Sequence, residues 1–373
     1  MVELSADLGI ISVFGGGNGW GKRIAETLMA NGYGVAILEQ DATDAEIRNA
    51  IARSSLIFIA IPDTGIDGLL QSYGQTMHGR MLIDCATSKT GFSSRLQELA
   101  ETVSICSSHP MAVSSAALRG QNVLLMPVGS QSLKAESAAR HIYDLLGMHC
   151  SRFDFSRHDE LMALVQLLPH LVQRAFMAVL GQGLAAQRIG ISELTSLASA
   201  NYLLAELGLG RVAAQRSDVS AGIIASGLSG EFGRGLLESL SNSLAAITES
   251  KDSRELLTRQ FEATVQTLDP DGSWRRQMAE RTEAALNRLG NLRSRSLVIS
   301  APNRIGMLRD ILTVLARHDI DMTALDSQLL ASDNGVESVR FEIGISNARI
   351  PHASIHRELD EIGVHLHGND FNP

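Results

Sequence analysis

The chain has 373 residues, which is too long for a single hydrophobic core and predicts two or three domains. Its formal net charge of -9 argues against a nucleic-acid-binding protein, because such proteins usually present a basic surface. The three cysteines match no metal-binding spacing and no disulfide framework, which is typical of a reduced cytosolic protein. We therefore predict no metal site.

The N-terminal residues Met1-Val2-Glu3-Leu4 lack the basic segment that opens a signal peptide. No apolar run in the sequence approaches the roughly 20 residues that are needed to span a bilayer. We expect a soluble, cytoplasmic protein that binds neither a membrane nor nucleic acid.

Short apolar segments alternate with helical patterns in the first part of the chain. This alternation predicts an α/β fold with a Rossmann-type, doubly wound parallel sheet, in a domain that covers residues 1–154. The predicted strands cover residues 10–14, 35–38, 56–61, 81–83, 103–106 and 123–126.

Strand signals almost disappear after this domain, and leucines recur at helical spacing. Residues 155–290 are predicted to form an all-helical domain whose wide apolar faces pack together or against a second subunit. After a polar linker at 291–295, residues 296–373 show a βαββαβ order, which is typical of a small ferredoxin-like α+β domain. Its strands are predicted at 296–300, 322–330, 337–345 and 364–367, with a turn at Asp333-Asn334-Gly335 and helices at 305–316 and 355–362.

A glycine-rich loop follows the first predicted strand and opens a helix. Its pattern, G-x-G-x-x-x-G, is one residue longer than the usual dinucleotide fingerprint, and Gly19 can absorb the extra residue. Glu39 ends the next strand, where its carboxylate can accept hydrogen bonds from a ribose diol and repel a 2′-phosphate. That position favours NAD over NADP, although an exposed strand-end acid is the alternative reading. The candidate cofactor-binding residues are Gly15, Gly17, Asn18, Gly19, Gly21, Glu39 and Pro62.

Two further strand ends carry polar side chains. Thr87, Ser88 and Lys89 follow the fourth strand, where they either face a ligand in the crevice or cap a helix. His109 follows the fifth strand, with the rigid Pro110 after it. An imidazole titrates near neutral pH, as a general base requires, so we interpret His109 as a catalytic base.

Two more candidates lie in the helical region. His170 follows a proline inside an apolar stretch and is either a buried structural histidine or a ligand-facing one. Arg211 lies in a glycine-flanked break, where an arginine can bind a carboxylate or simply remain solvated.

Across roughly residues 10 to 290, the chain resembles the prephenate dehydrogenases of tyrosine biosynthesis. The C-terminal module resembles an ACT domain, with residues 302–306 as its first loop. The segments that carry the dehydrogenase resemblance are the glycine loop with Leu38-Glu39-Gln40, residues 84–89, His109-Pro110-Met111, His158-Asp159, Gln166 with Leu168-Pro169-His170, and Gly210-Arg211.

The resemblance implies NAD-dependent oxidative decarboxylation of prephenate to 4-hydroxyphenylpyruvate. His109 would accept the proton of the C4 hydroxyl, and Thr87 would supply the hydroxyl that the family carries as serine. Arg211 would bind a substrate carboxylate, while His170 and Gln166 line the substrate pocket. It also implies a homodimer formed by the helical domain, and an amino-acid effector at the ACT domain. The sequence contains no chorismate mutase segment, so no mutase activity is expected.

The chain departs from the family at Ser88 and at Ala112-Val113, close to the expected substrate. Two alternatives therefore stay open. One is a dehydrogenase of arogenate or 4-amino-4-deoxyprephenate, and the other is a non-catalytic relative that senses an amino acid.

Overall fold

The structure is a computed structural model that describes residues 10–215, 217–294, 296–330, 338–346 and 352–367. The chain divides into two compact units. The first is Met1–Gly183 with Leu209–Asn242, and the second is Leu184–Gly208 with Ser243–Pro373. The three-domain division predicted from the sequence stays a prediction.

A seven-stranded sheet forms the centre of the first unit. Its strands are β1 (Ile10–Phe14), β2 (Val35–Leu38), β3 (Ser54–Ile59), β4 (Met81–Asp84), β5 (Ser104–Pro110), β6 (Asn122–Val128) and β7 (His149–Arg152). The strand order is β2-β1-β3-β4-β5-β6-β7. The predicted Rossmann-type sheet is confirmed in its first five strands, which are parallel.

The prediction of a purely parallel sheet is wrong at the far edge. Strand β6 runs antiparallel to β5 and parallel to β7. The connection between β5 and β6, residues 111–121, contains no helix. A parallel neighbour needs a long crossover, usually helical, so this short connection returns the chain in the opposite direction. Strand β7 has no counterpart in the predicted set, because three of its four residues, His149, Ser151 and Arg152, are polar.

The sheet of the first unit is covered on both faces by helices. The helices of the chain up to the end of β7 are α1 (Gly19–Ala30), α2 (Asp44–Arg53), α3 (Asp63–Tyr73), α4 (Ser93–Leu99) and α5 (Leu133–Leu145). One core layer packs α1 and α5 on the sheet, and the other packs α2, α3 and α4. Because both faces are covered, central strands such as β3 are buried along nearly their whole length.

The predicted helical region is confirmed as helical. Its helices are α6 (His158–Met162), α7 (Leu168–Gln187), α8 (Ile191–Ser196), α9 (Ala200–Ala214), α10 (Ser217–Ser229), α11 (Glu231–Glu249), α12 (Arg254–Leu268) and α13 (Ser273–Ser294). The predicted linker at 291–295 is wrong in its first four residues, since α13 continues to Ser294.

One helical stretch of the described chain, Phe155–Gln187, is long and apolar enough to cross a membrane by length and composition. Its most apolar window has a mean hydropathy of 1.4, and 11% of that window is buried. The expectation that no apolar run reaches this length is therefore wrong. A single such stretch is weak evidence for a membrane segment, and this one carries His158, Asp159 and Gln166 of the candidate site described below.

The second unit contains a four-stranded antiparallel sheet of order β11-β8-β10-β9. Its elements are β8 (Ser296–Pro302), α14 (Met307–Arg317), β9 (Met322–Leu330), β10 (Ser338–Ile345), α15 (His352–Glu361) and β11 (His365–Leu366). This order confirms the predicted ferredoxin-like βαββαβ arrangement, and both helices pack on one core with the sheet. The predicted turn at 333–335 lies outside the described residues.

Helix α1 packs closely against the preceding loop at Gly21. A Cβ atom at Gly21 would lie 2.0 Å from the carbonyl oxygen of Gly15. We expect Gly21→Ala to lower the free energy of unfolding by about 1–3 kcal/mol, because the helix must move away from the loop. The measurement is urea denaturation.

Gly68→Ala is the matched control. Gly68 lies inside α3, and a Cβ atom there would have no neighbour within 4 Å. This change should leave stability unchanged or raise it by up to about 1 kcal/mol. Equal midpoints for the two variants would contradict the close approach at Gly21.

Candidate active site

The glycine loop connects β1 to α1 and has the geometry of a dinucleotide cradle. Gly15 has φ of 79°, and a Cβ atom there would lie 2.7 Å from the backbone oxygen of Ala60. The backbone N–H of Gly17 donates to the Glu39 carboxylate at 2.5 Å, so this acid faces the loop. Asn18 precedes α1 without a side-chain cap bond, which leaves the first amides of the helix open to a phosphate. These residues fit a bound dinucleotide.

The remaining cofactor candidates complete the rim of this loop. Gly19 has φ of 54° in the left-handed region, and a Cβ atom there would meet nothing within 4 Å. The extra residue of the loop is thus accommodated at the first residue of α1. Pro62 lies just past β3, where it is the residue before α3.

Lys89 is fully buried, contrary to the prediction that it faces a ligand. Its ammonium donates to Asp84 Oδ1 at 2.7 Å, to the Ala86 carbonyl at 2.7 Å and to the Ser108 carbonyl at 2.8 Å. All three ammonium hydrogens are therefore used within the protein. The side chains of Lys89 and Asp84 are 2% and 1% exposed, so this ion pair is cut off from solvent.

The same cluster ties β4 to β5 one residue before His109. The Ser108 hydroxyl lies within hydrogen-bonding distance of the Asp84 carbonyl and 2.8 Å from the Tyr143 hydroxyl. Since the Asp84 carbonyl can only accept, Ser108 donates to it and Tyr143 donates to Ser108. These bonds fix the backbone that carries His109.

His109 is buried near the end of β5 and contacts a second histidine. Its Nδ1 lies 2.9 Å from His158 Nε2, and the His158 Nδ1 lies 2.6 Å from Asp159 Oδ1. The ring centroids of His109 and His158 are 5.1 Å apart at an interplanar angle of 64°. A chain of two imidazoles and one carboxylate thus runs from the sheet to the start of α6.

Asp159 joins this chain to the loop after β4. Its carboxylate accepts from the backbone N–H groups of Lys89 at 3.1 Å and Thr90 at 2.7 Å. It also accepts from the hydroxyls of Ser88 and Thr90. Burial acts to raise the pKa of Asp159, but the hydrogen bonds from His158 and Thr90 outweigh it and hold the pKa well below its ordinary value.

The environment of His109 keeps its imidazole neutral. Burial, and then the positive charge of Lys89, lower the pKa of His109 well below its ordinary value of 6.5. The His158 ring acts in the same direction, and Asp159 opposes it. A histidine that is neutral at physiological pH can accept a proton, as a general base must.

Gln166 reaches His109 from a π-helical turn. Residues Ala163–Leu167 form this turn, directly before α7. The Gln166 Nε2 lies 3.4 Å from the His109 Nε2, which is the ring nitrogen that does not contact His158. Such π turns often occur at functional sites. A proline inside an apolar helical stretch is expected to kink the helix, but Pro169 is the second residue of α7 and the irregularity lies before it.

A cleft of about 250 Å³ opens beside this arrangement. Its lining includes the predicted residues Thr87 and Gln166, together with Asp159 and residues 226, 227 and 230–233 where α10 meets α11. Among the contacts described, no hydrogen bond joins Thr87 to His109. Thr87 therefore lies on the rim of the cleft, and any role that it has requires direct contact with a ligand.

His170 and Arg211 lie close together but do not line this cleft. Burial, then Arg174 and Arg211, lower the pKa of His170. Its Nδ1 is buried without a hydrogen-bond partner among the described residues. Arg174 donates to the Val212 carbonyl at 3.2 Å and so holds the residue next to Arg211. No local pattern distinguishes Arg174 in the sequence, since it is one of many helical arginines.

The sequence also missed the roles of His158 and Asp159. An acid in the first turn of a helix is explained by the helix dipole, so Asp159 had a sufficient local reason. The signal that could have identified the pair is the adjacency of an imidazole and a carboxylate at a helix start. In the part of the chain that the structure describes, no group of three or more His, Cys, Asp or Glu residues could hold a metal ion.

Comparison with known proteins finds similarity to prephenate and arogenate dehydrogenases. No family model matches the chain. The chain is 27% identical over 232 residues to a protein of Methanocaldococcus jannaschii named as a probable arogenate/prephenate dehydrogenase, which covers 57% of this chain and 51% of that protein. The match thus spans about half the length of this relative.

Solved structures share the fold. A protein of Corynebacterium glutamicum assigned as a prephenate dehydrogenase has a TM-score of 0.51 at 17% identity, covering 71% of this chain and 89% of that one. Prephenate dehydrogenase from A. aeolicus, in complex with hydroxyphenyl propionate and NAD+, has a TM-score of 0.50 at 15% identity, covering 70% and 98%.

The chain is similar to prephenate and arogenate dehydrogenases in part of its sequence and in its fold. The Rossmann-type fold predicted from the sequence is confirmed by these structures, and the resemblance noted in the sequence is supported by the 27% identity to the M. jannaschii protein. The substrate, the effector and the assembly are matters for proposal.

The ion pair of Lys89 and Asp84 should be among the most sensitive points of the fold. We expect Lys89→Met to lower the free energy of unfolding by about 3–5 kcal/mol, because Asp84 becomes a buried charge without a partner. Urea denaturation measures this loss.

Arg95→Met is the control, since Arg95 pairs with Asp67 at 3.3 Å in a partly exposed position. It should cost less than about 1 kcal/mol. A similar loss in both variants would show that the buried pair has no special importance.

Proposed function

We propose that this protein is a cytoplasmic enzyme that catalyses the NAD-dependent oxidative decarboxylation of prephenate to 4-hydroxyphenylpyruvate, in tyrosine biosynthesis. The observation that carries the proposal is the buried, neutral His109 next to a cleft and one strand end away from the segment 84–89. The glycine loop and Glu39 supply a site for a dinucleotide in the same sheet. NAD, when bound, supplies the hydride acceptor.

His109 performs the proton chemistry in this proposal. Its Nε2 takes the proton of the C4 hydroxyl while the C4 hydrogen leaves as hydride. The bond to the ring carboxylate then breaks, its electron pair completes the aromatic ring, and CO2 leaves. The proton held at His109 returns to the ring oxygen, so the base is regenerated in each turnover.

Four other residues take part in binding the substrate. Arg211 binds a substrate carboxylate, with His170 beside it, and Arg174 holds that segment in place. Gln166 donates towards the ring oxygen at the position where it now meets His109 Nε2. Thr87 presents its hydroxyl at the rim of the cleft.

Arogenate is the second candidate substrate. The relative from M. jannaschii carries both substrates in its name. Glu160 and Glu231 also line the cleft, and a carboxylate would favour a substrate that bears an ammonium group. The same oxidation and decarboxylation apply to arogenate and to 4-amino-4-deoxyprephenate, and a comparison of kcat/KM for the three compounds separates them.

We also propose that α7 forms a homodimer interface and that the ferredoxin-like module is an ACT domain that binds an amino acid. Apolar side chains of α7 such as Val172, Phe176 and Val179 are 44%, 37% and 65% exposed. Surface of this kind is normally covered by a partner. Calorimetric titration with tyrosine and other aromatic amino acids tests the effector.

His109→Asn should reduce kcat for NADH formation by roughly 100-fold to 10,000-fold, because the proton acceptor is lost. The affinity for NAD, measured by fluorescence titration, should change little. Arg211→Ala is the contrasting variant and should raise KM while kcat falls less. Normal turnover by the His109→Asn variant would contradict the assignment of the base.

The pH dependence follows from the lowered pKa of His109. A base acts only when it is unprotonated, so a lowered pKa moves the loss of activity to lower pH. The acidic limb of kcat/KM should therefore lie below pH 6.5. An acidic limb at or above pH 6.5 would contradict the buried, neutral state of His109.

Val179→Asp should convert a dimer into a monomer in sedimentation velocity, because a charge would be buried at the interface. Leu133→Asp is the control, since Leu133 is 76% exposed on α5 and away from α7. A wild-type monomer, or a Val179→Asp dimer, would argue against this interface.

A further inference from the structure

We propose that His158 is a positioning residue that, together with Asp159, holds His109 in the tautomer whose proton is on Nδ1, leaving Nε2 free to act as the base. This inference rests on the proposed function for the identity of the reaction. The tautomer itself is a property of the free protein and can be observed without a substrate.

The direction of the hydrogen bonds that run from His109 through His158 to Asp159 is set at Asp159. The backbone N–H of Thr90 donates to Asp159 Oδ2 at 2.7 Å, and that of Lys89 donates to both oxygens at 3.1 Å. A backbone N–H can only donate, so this carboxylate is an acceptor on both oxygens. The contact of 2.6 Å between Asp159 Oδ1 and His158 Nδ1 then requires the proton to be on His158 Nδ1.

The next step follows from the chemistry of neutral imidazole. A neutral ring with its proton on Nδ1 carries a lone pair on Nε2. His109 Nε2 lies 3.4 Å from the amide nitrogen of Gln166, which can only donate, so the proton of the His109 ring is on Nδ1, where it faces His158. The His158 Nε2 therefore accepts, and His109 Nδ1, at 2.9 Å, donates.

His109 is left with one unprotonated nitrogen. Because Nδ1 carries the proton, Nε2 carries the lone pair, and Nε2 is the atom that meets Gln166 at 3.4 Å. The Gln166 amide can donate to it, which is consistent with this tautomer. When Nε2 takes a proton, Nδ1 continues to donate to His158, so the chain needs no rearrangement.

Asp159→Asn should reverse the donor and acceptor roles along the hydrogen bonds from residue 159 to His109. The Thr90 N–H demands an oxygen at the Oδ2 position, so the amide nitrogen of the new side chain faces His158 Nδ1 and donates to it. His158 then carries its proton on Nε2 and donates to His109 Nδ1. His109 must hold its own proton on Nε2, where it can no longer accept one.

The test combines nitrogen NMR of ¹⁵N-histidine-labelled protein with steady-state kinetics. In the wild type, His109 should show a protonated Nδ1 and an unprotonated Nε2, and in Asp159→Asn the opposite. We expect kcat of Asp159→Asn to fall by roughly 100-fold or more, with KM for prephenate changed by less than about 3-fold. His158→Gln should retain kcat within roughly 10-fold, because the amide oxygen can accept from His109 Nδ1 while the amide nitrogen donates to Asp159.

His78→Asn changes an exposed histidine just before the start of β4, at the opposite end of that strand from the site, and is the control that should leave kcat and the His109 signals unchanged. A wild-type His109 with its proton on Nε2 would overturn the proposal, as would an Asp159→Asn variant that keeps both the tautomer and kcat. If the predicted tautomers are found but the wild type oxidises none of the three substrates, the positioning role is supported and the proposed reaction fails. If activity is present without the predicted tautomers, the positioning role alone fails.

Discussion

The carboxylate of Asp159 is the interaction on which the candidate site depends. It accepts hydrogen bonds from the loop after β4 and from His158 at the start of α6. One side chain therefore connects the Rossmann-type sheet to the helices that line the cleft. The hydrogen bonds that fix its position also keep it ionised, so the same contacts set both geometry and charge.

The second constraint is the buried ion pair at the ends of β4 and β5, next to His109. Lys89 and Asp84 neutralise each other inside the sheet, and the three bonds of the Lys89 ammonium join β4, its following turn and β5. The cluster also places a positive charge near His109, which acts with desolvation to keep the imidazole neutral. Stability and chemistry are thus linked, because the ion pair that holds the strand ends together also contributes to the lowered pKa of His109.

Much of the fold follows from local patterns in the sequence. Strand β3 and the glycine loop were predictable because a buried apolar run and a tight turn each require particular residues over a short segment. The antiparallel direction of β6 was not predictable, since it depends on whether the connection between β5 and β6 forms a helix. The site was predictable only in part. His109 could be selected from its position after a strand, whereas the contact between His109 and His158 joins residues far apart in sequence and has no local signature.

Lys89 also shows that local patterns in the sequence do not determine which polar side chains face the ligand. A lysine after a strand in a nucleotide-binding sheet is expected to face the ligand, and burial of its ammonium becomes apparent only when Asp84, Ala86 and Ser108 are seen around it. An acid in the first turn of a helix, such as Asp159, already has a sufficient local reason in the helix dipole, and that reason hides its long-range contacts.

The most direct measurement of the central claim is the ratio of CO2 to NADH in one reaction mixture. Wild-type protein would be incubated with NAD and prephenate labelled with ¹⁴C at the ring carboxylate, followed by the same experiment with labelled arogenate. The account predicts one labelled CO2 for each NADH with at least one of these substrates, and both products formed at least roughly 100-fold more slowly with His109→Asn. Formation of NADH without CO2 would contradict the account. The absence of NADH with both labelled substrates would also contradict it.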